Sequence, residues 1–272
     1  VAFLMQTPQQ DGGQWDMIVS LFQKYGVVPK AVMPESSSSS NSRDLNNYLN
    51  KLLRKHAVLL RQMVAEEATA EEIQANREAM LQEVYNLLGT PPEVFDFEYR
   101  DEEKNYHLDQ ELTPQSFYEK YVGVNLEDYV SIINAPTADK PFMRSYTVDM
   151  LGNVVDGKQV KYLNLEMEDF KALAVKQLEQ GESVWFGCDV GQSSTRDSGI
   201  MALDAYDMND LFDIDFTMTK AQRLDYGESL MTHAMVMTGV DIVDGQSKKW
   251  KVENSWGEKV GDKGFFVMSD AW

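Results

Sequence analysis

"HAMVMTGVDIVDGQSKKWKVENSW", residues 233–256, is the stretch whose reading decides the fold. Its two halves are rich in apolar, β-branched and aromatic residues, and Asp244-Gly245 stands between them, where a two-residue turn needs left-handed backbone. The pattern predicts a β-hairpin. Such a hairpin carries His233 at the start of one strand and an Asn-Ser-Trp-Gly turn at the end of the other, so two neighbouring strands can bring His233 and Asn254 together. An asparagine amide can accept from one imidazole nitrogen, fixing the ring and its tautomer, while the other nitrogen faces a nucleophile. Trp256 can then cover the bond and keep competing water away. A structural histidine and a strand-end turn with a core tryptophan are the plainer reading of the same residues.

Working outward, "YTVDML", "GNVVDGKQVKYLN" with a hairpin turn at Asp156-Gly157, "SVWFGCDV" and "GFFVMS" read as further short strands. One helix interrupts them from about Glu166 to Gln180, with Phe170, Leu173, Ala174 and Leu178 as its buried face. Upstream the texture is helical. Residues 13–25 place Trp15, Ile18, Leu21, Phe22 and Tyr25 at helical spacing, with Asp11 as a candidate cap and Gly26 as the stop. A polar loop, "SSSSSNS", precedes a long amphipathic helix from Asp44 to about Glu67. A second helix follows, opened by a Thr69/Glu72 capping box, lined by Ile73, Met80, Leu81, Val84 and Leu88, and ended by Gly89. "FDFEYRDEEKNYHL" is a strand or loop, and Thr113-Pro114 opens a short helix towards Gly123. An α-rich first part followed by a β-rich second part makes an α+β chain.

The totals exclude several functions. The 272 residues carry a formal net charge of -19, which repels phosphate backbones and anionic headgroups and favours cationic groups such as peptide amino termini; no nucleic-acid partner is expected. No apolar run is long enough for a membrane span, and the first residues lack a basic flank and a cleavage-site pattern. They read instead like the end of an apolar element, as if the chain began in mid-fold. A single cysteine, Cys188, allows no intrachain disulfide and fits a cytoplasmic setting. His56, His107 and His233 are too dispersed for a zinc site, so no metal and no cofactor are expected. "GQSST" lacks the last glycine of a serine-hydrolase elbow, and "DAYDMNDLFDID" lacks the glycine and glutamate of a calcium loop.

His233-Ala234, Asn254-Ser255-Trp256-Gly257 and the following "GDKGFFVM" together resemble the papain superfamily of cysteine peptidases. "DGGQWDMIVSLFQKYGVVP" is similar to that family's Gly-Gly segment and the helix after it. The helical region after "VMPESSSSSNS" and the phrase "GESVWFGCDVGQ" resemble the bleomycin hydrolase and aminopeptidase C branch. The resemblance implies a two-lobed papain-like fold with a long helical insertion: residues 1–35 in the helical lobe, 36–143 as the insertion and 144–272 as the β-rich lobe. It implies a cysteine-type aminopeptidase acting on peptides, with His233 as general base, Asn254 as its orienting group, Trp256 as their shield, and a homohexameric ring. Gly12 and Gly13 would line the substrate cleft, where absent side chains admit a peptide backbone; a turn before a helix is the alternative.

The resemblance also implies a cysteine at a helix start, preceded by an oxyanion-hole glutamine, on the amino-terminal side of Gly12. This sequence contains neither. Cys188 lies in an apolar strand beside Asp189, surroundings that raise a thiol pKa, and reads as structural. The nucleophile is therefore expected upstream of Val1, and the sequence reads as the carboxy-terminal portion of a longer peptidase, inactive alone. The competing reading is a catalytically dead papain-like scaffold or assembly protein.

Overall fold

Helices occupy the amino-terminal end, as the spacing predicts. In the computed structural model, which describes residues 1–10 and 12–272, α1 spans Ala2–Gln6 and α2 spans Trp15–Tyr25. Asp11, the candidate cap, lies outside the described residues; the N-cap position of α2 is Gln14 and Gly26 ends it. The amphipathic stretches become α3, Arg43–Ala65, and α4, Ala70–Leu88. The capping box closes α4 from both directions: Glu72 N–H donates to Thr69 Oγ1 at 3.2 Å, and Thr69 N–H to Glu72 Oε2 at 2.8 Å. An antiparallel hairpin follows, β1 at Phe95–Arg100 and β2 at Tyr106–Leu112, then α5 at Pro114–Phe117, which runs through a π turn to Gly123. Phe95, Leu112 and Phe117 form the small core of this region.

Which helix faces are covered differs from expectation. On α2 the buried residues are Asp16, Val19 and Ser20, while Ile18 and Leu21 are 43% and 38% exposed. Residues 148–160 cover that side and belong to the same compact unit as residues 1–129. Lys158 N–H donates to Ser20 Oγ at 2.8 Å, Lys158 Nζ lies 3.5 Å from Asp16, and Lys24 Nζ donates to Val155 O at 3.0 Å. With its backbone so engaged, Asp156-Gly157 joins no pair of strands. On α4 no residue is buried, and α3 buries only Leu49 and His56, the latter bonded to Glu83 Oε2 of α4 at 2.9 Å.

The second unit comprises residues 130–147 and 161–272. Three short strands, β3 at Ser131–Ile133, β4 at Ser145–Tyr146 and β5 at Tyr162–Asn164, form a sheet of order β3-β5-β4. Next come α6, Met167–Glu179; β6, Val184–Cys188; β7, Ser194–Thr195; β8, Ile200–Met201; and two short helices, α7 at Met208–Phe212 and α8 at Lys220–Asp225. The deciding stretch folds as the hairpin of β9, His233–Val243, and β10, Gln246–Glu253; β11, Phe265–Ser269, completes a six-stranded sheet of order β6-β9-β10-β11-β8-β7. Asp244 and Gly245 have φ of 53° and 75°, the left-handed pair that a tight hairpin needs.

One face of this sheet is the main core. Met235 and Met237 of β9, Trp250 and Val252 of β10, and Phe266 and Met268 of β11 are all buried there, and Ala174, Val175 and Leu178 of α6 pack against them; Leu173 faces outward. Strict alternation would send Met237 and Val240 to opposite faces. The ladder pairs Val252 with Met237 but Lys251 with Gly239, so Thr238 is an extra residue on β9, and this bulge brings Val240 back inward opposite Trp250.

Candidate active site

His233 is the first residue of β9 and continues the inward row of Met235 and Met237, which places it at the open end of the core face. Asn254 follows the last residue of β10 and continues the row of Trp250 and Val252; its N–H donates to Gly264 O at 3.0 Å, which fixes its backbone. The hairpin thus brings the two side chains together: His233 Nε2 and Asn254 Oδ1 are 2.8 Å apart. Ser255 N–H also donates to Asn254 Oδ1 at 2.8 Å. A backbone N–H can only donate, so this second contact identifies the amide atom as the oxygen. The oxygen in turn can only accept, so Nε2 carries a proton and Nδ1 of the neutral ring is the nitrogen with a free lone pair. Asn254 is 9% exposed, and its Nδ2 is buried without a partner among the described residues.

Trp256 lies over this pair. Its ring stacks on His233 with centroids 4.8 Å apart and planes 28° from parallel, and meets the edge of buried Phe266 at 5.8 Å. The guanidinium carbon of Arg196 lies 4.7 Å from the same tryptophan ring. Nothing in the sequence marked Arg196: it stands far from the hairpin, on the turn joining β7 to β8, and only the folded sheet brings it to Trp256.

Cys188 ends β6 directly opposite His233 in the ladder, so both side chains share one face. Proximity does not activate it. Burial, with a smaller contribution from the Asp189 charge, pushes its thiol up from 9.0 to about 12, leaving it protonated at neutral pH. Gly12 and Gly13 belong to the other unit, between α1 and α2; a Cβ on Gly12 would meet no atom within 4 Å, and one on Gly13 would touch only Met17. Among the described residues no group of three or more His, Cys, Asp or Glu side chains is placed to hold a metal ion, and no helix is long and apolar enough to cross a membrane.

The His233–Asn254 bond beneath an indole, carried at one end of a single hairpin, is the arrangement on which the papain resemblance rests. Comparison with known proteins shows the family. The chain matches the Peptidase C1-like family model over residues 1–272 and belongs to that family. It is 61% identical over 277 aligned positions to aminopeptidase C of Streptococcus thermophilus, covering 100% of this chain and 62% of that protein. Bleomycin hydrolase of Gallus gallus is 44% identical over 282 positions, again with 62% of its length matched. The crystal structure of PepW from Lactobacillus rhamnosis superposes with a TM-score of 0.95 at 66% identity, covering 100% of this chain and 62% of that one. The fold is papain-like, and the chain spans about 62% of the length of the relatives it matches.

Proposed function

We propose that this chain supplies the general base and its orienting group to a cysteine aminopeptidase that releases amino-terminal residues from peptides. The observation that supports this reading above all is the 2.8 Å bond from His233 Nε2 to Asn254 Oδ1 beneath Trp256, in a chain of the Peptidase C1-like family. The nucleophilic thiol comes from residues outside this sequence, since the one cysteine in it is half-buried in a strand and its thiol is pushed up to about 12. His233 Nδ1 takes the proton of that thiol, and the thiolate attacks the scissile carbonyl. The imidazolium, held by Asn254, then protonates the departing amine, and Nδ1 activates water to hydrolyse the acyl-enzyme. Gly12 and Gly13 leave room for the substrate backbone, and the net charge of -19 favours approach of a substrate α-ammonium.

The remaining parts of the reading follow the family resemblance. Residues 1–35 belong to the helical lobe, 36–143 form an insertion, and 144–272 form the β-rich lobe. The whole protein is a cytoplasmic homohexamer that needs neither cofactor nor metal. The test is to express the complete reading frame of the source gene and assay hydrolysis of aminoacyl-coumarin substrates before and after thiol alkylation. Alkylation and His233→Ala should each abolish turnover, and the 272-residue chain alone should show none. Turnover by that chain which is lost in His233→Ala refutes the external nucleophile. A complete protein with no turnover and no sensitivity to alkylation refutes the peptidase reading in favour of a scaffold.

A further inference from the structure

Trp256 is half-buried and follows Asn254 by two residues, at the start of a loop that runs to β11. Phe266, 1% exposed, gives it a rigid edge contact on the core side. Arg196 contributes the outer contact. Its turn is closed by Gly199 N–H to Thr195 O at 2.9 Å, by Thr195 Oγ1 to Ile200 O at 3.3 Å, and by a Thr195–Ser198 hydroxyl contact. The turn is also seated on the loop that follows Trp256. A Cβ on Gly199 would come within 2.8 Å of Gly261 Cα and 2.9 Å of Phe265 O, and Val267 N–H donates to Gly199 O at 2.8 Å. The segment carrying Arg196 is therefore fixed relative to the segment carrying Trp256. In a chain with 44 acidic residues, no carboxylate lies within ion-pair distance of Arg196 among the described residues; its guanidinium rests on the indole instead.

We infer that Arg196 is a positioning residue: its guanidinium holds the Trp256 ring against His233, and so keeps water from the His233–Asn254 bond. The inference rests on the proposed role of that pair as general base. A cation on an indole attracts the ring electrostatically, and at an exposed site the attraction shifts an open-to-closed balance about two- to fivefold. Water reaching the imidazole when the indole is open competes for Nε2–H and loosens the ring orientation that proton transfer requires. Arg196 thus acts on turnover through Trp256 and touches no reacting atom.

The test uses Arg196→Gln, which removes the charge at similar length, and Arg196→Lys, which keeps it. In the 272-residue chain, histidine-selective NMR reads the ring-current displacement of the His233 C–H resonances by Trp256, assigned through His233→Gln. Arg196→Gln should shift these resonances towards solvent-exposed values, and Arg196→Lys should retain most of the displacement. In the complete protein, Arg196→Gln should lower kcat about two- to fivefold with KM unchanged, and Arg196→Lys should restore most of it. An unchanged ring shift in Arg196→Gln, a lost ring shift with unchanged kcat, or equal losses in the two variants would overturn the inference. Failure of the proposed function shows differently: the complete protein then shows no turnover, or His233→Ala leaves its turnover intact, while the ring shift still reports whether Arg196 holds Trp256.

Discussion

Replacing Asn254 with alanine tests the geometry without reference to turnover. Asn254 Oδ1 accepts two hydrogen bonds, from His233 Nε2 and from Ser255 N–H, each at 2.8 Å. Each such bond contributes about 1 kcal/mol net, and an imidazole N–H stranded under Trp256 costs about 1 kcal/mol more. The buried, unpartnered Nδ2 is removed as well, which returns about 1 kcal/mol. The expected loss is therefore about 2 kcal/mol. Asn254→Asp keeps both acceptor contacts and should lose less than about 1 kcal/mol. Urea unfolding of the 272-residue chain, followed by far-UV circular dichroism, reads these differences as midpoint shifts at constant slope. The part belonging to the pair itself comes from a double-mutant cycle of His233→Ala and Asn254→Ala, which should show a coupling of about 1 kcal/mol. Additivity within about 0.3 kcal/mol would refute the claim that the two side chains bond in solution.

Three further outcomes are expected. Because Cys188 is raised to about 12 by burial, it should react with iodoacetamide at pH 8 at least about 100-fold more slowly than an exposed cysteine in a peptide. A comparable rate would place that thiol outside the core. Lys220, whose Nζ donates to Asn134 Oδ1 at 2.9 Å, is lowered to about 8 by burial and then by the neighbouring Arg223 charge. Above about pH 8 the folded chain gives up this proton while the unfolded chain keeps it up to about 10.5, so stability should rise from pH 7 to pH 9. The urea midpoint should follow that rise in the parent chain but not in Lys220→Met; equal slopes would exclude Lys220 as the source. Gly261 has φ of 63°, and a Cβ there would lie 2.5 Å from Phe265 O and 2.9 Å from the Phe266 ring. Gly261→Ala should therefore destabilise the chain by at least about 2 kcal/mol, and a near-neutral substitution would contradict this loop geometry.

What the sequence revealed was what depends on near neighbours. The Asp244-Gly245 turn, the Thr69/Glu72 box and the glycine helix stops are local chemistry, and each is present as read. The proximity of His233 to Asn254 follows from the same turn, since one hairpin carries both. The readings that failed required a distant partner. Helical periodicity identified apolar faces on α2 and α4 but not what covers them, and residues 148–160 return to the opposite side of α2. The Asp156-Gly157 hairpin failed for the same reason, because the flanking backbone bonds to α2 rather than to itself. Arg196 left no trace, because an exposed arginine in a turn looks like any other until the sheet order sets β7 and β8 beyond β11.

The site is not an addition to a finished core; its residues end the rows from which the core is built. His233 extends Met235 and Met237, Asn254 extends Trp250 and Val252, and Trp256 leans on Phe266. Moving His233 away from Asn254 therefore means displacing a strand whose next inward residues are buried, and each of those side chains resists by about 1.5–3 kcal/mol of lost burial. That resistance keeps a single, otherwise modest hydrogen bond in place without any help from a bound substrate. The outer side of the indole has no such backing and depends on Arg196, an exposed side chain. Rigidity is thus distributed unevenly around the imidazole: firm at Nε2, where the tautomer is set, and soft at the lid that governs access of water.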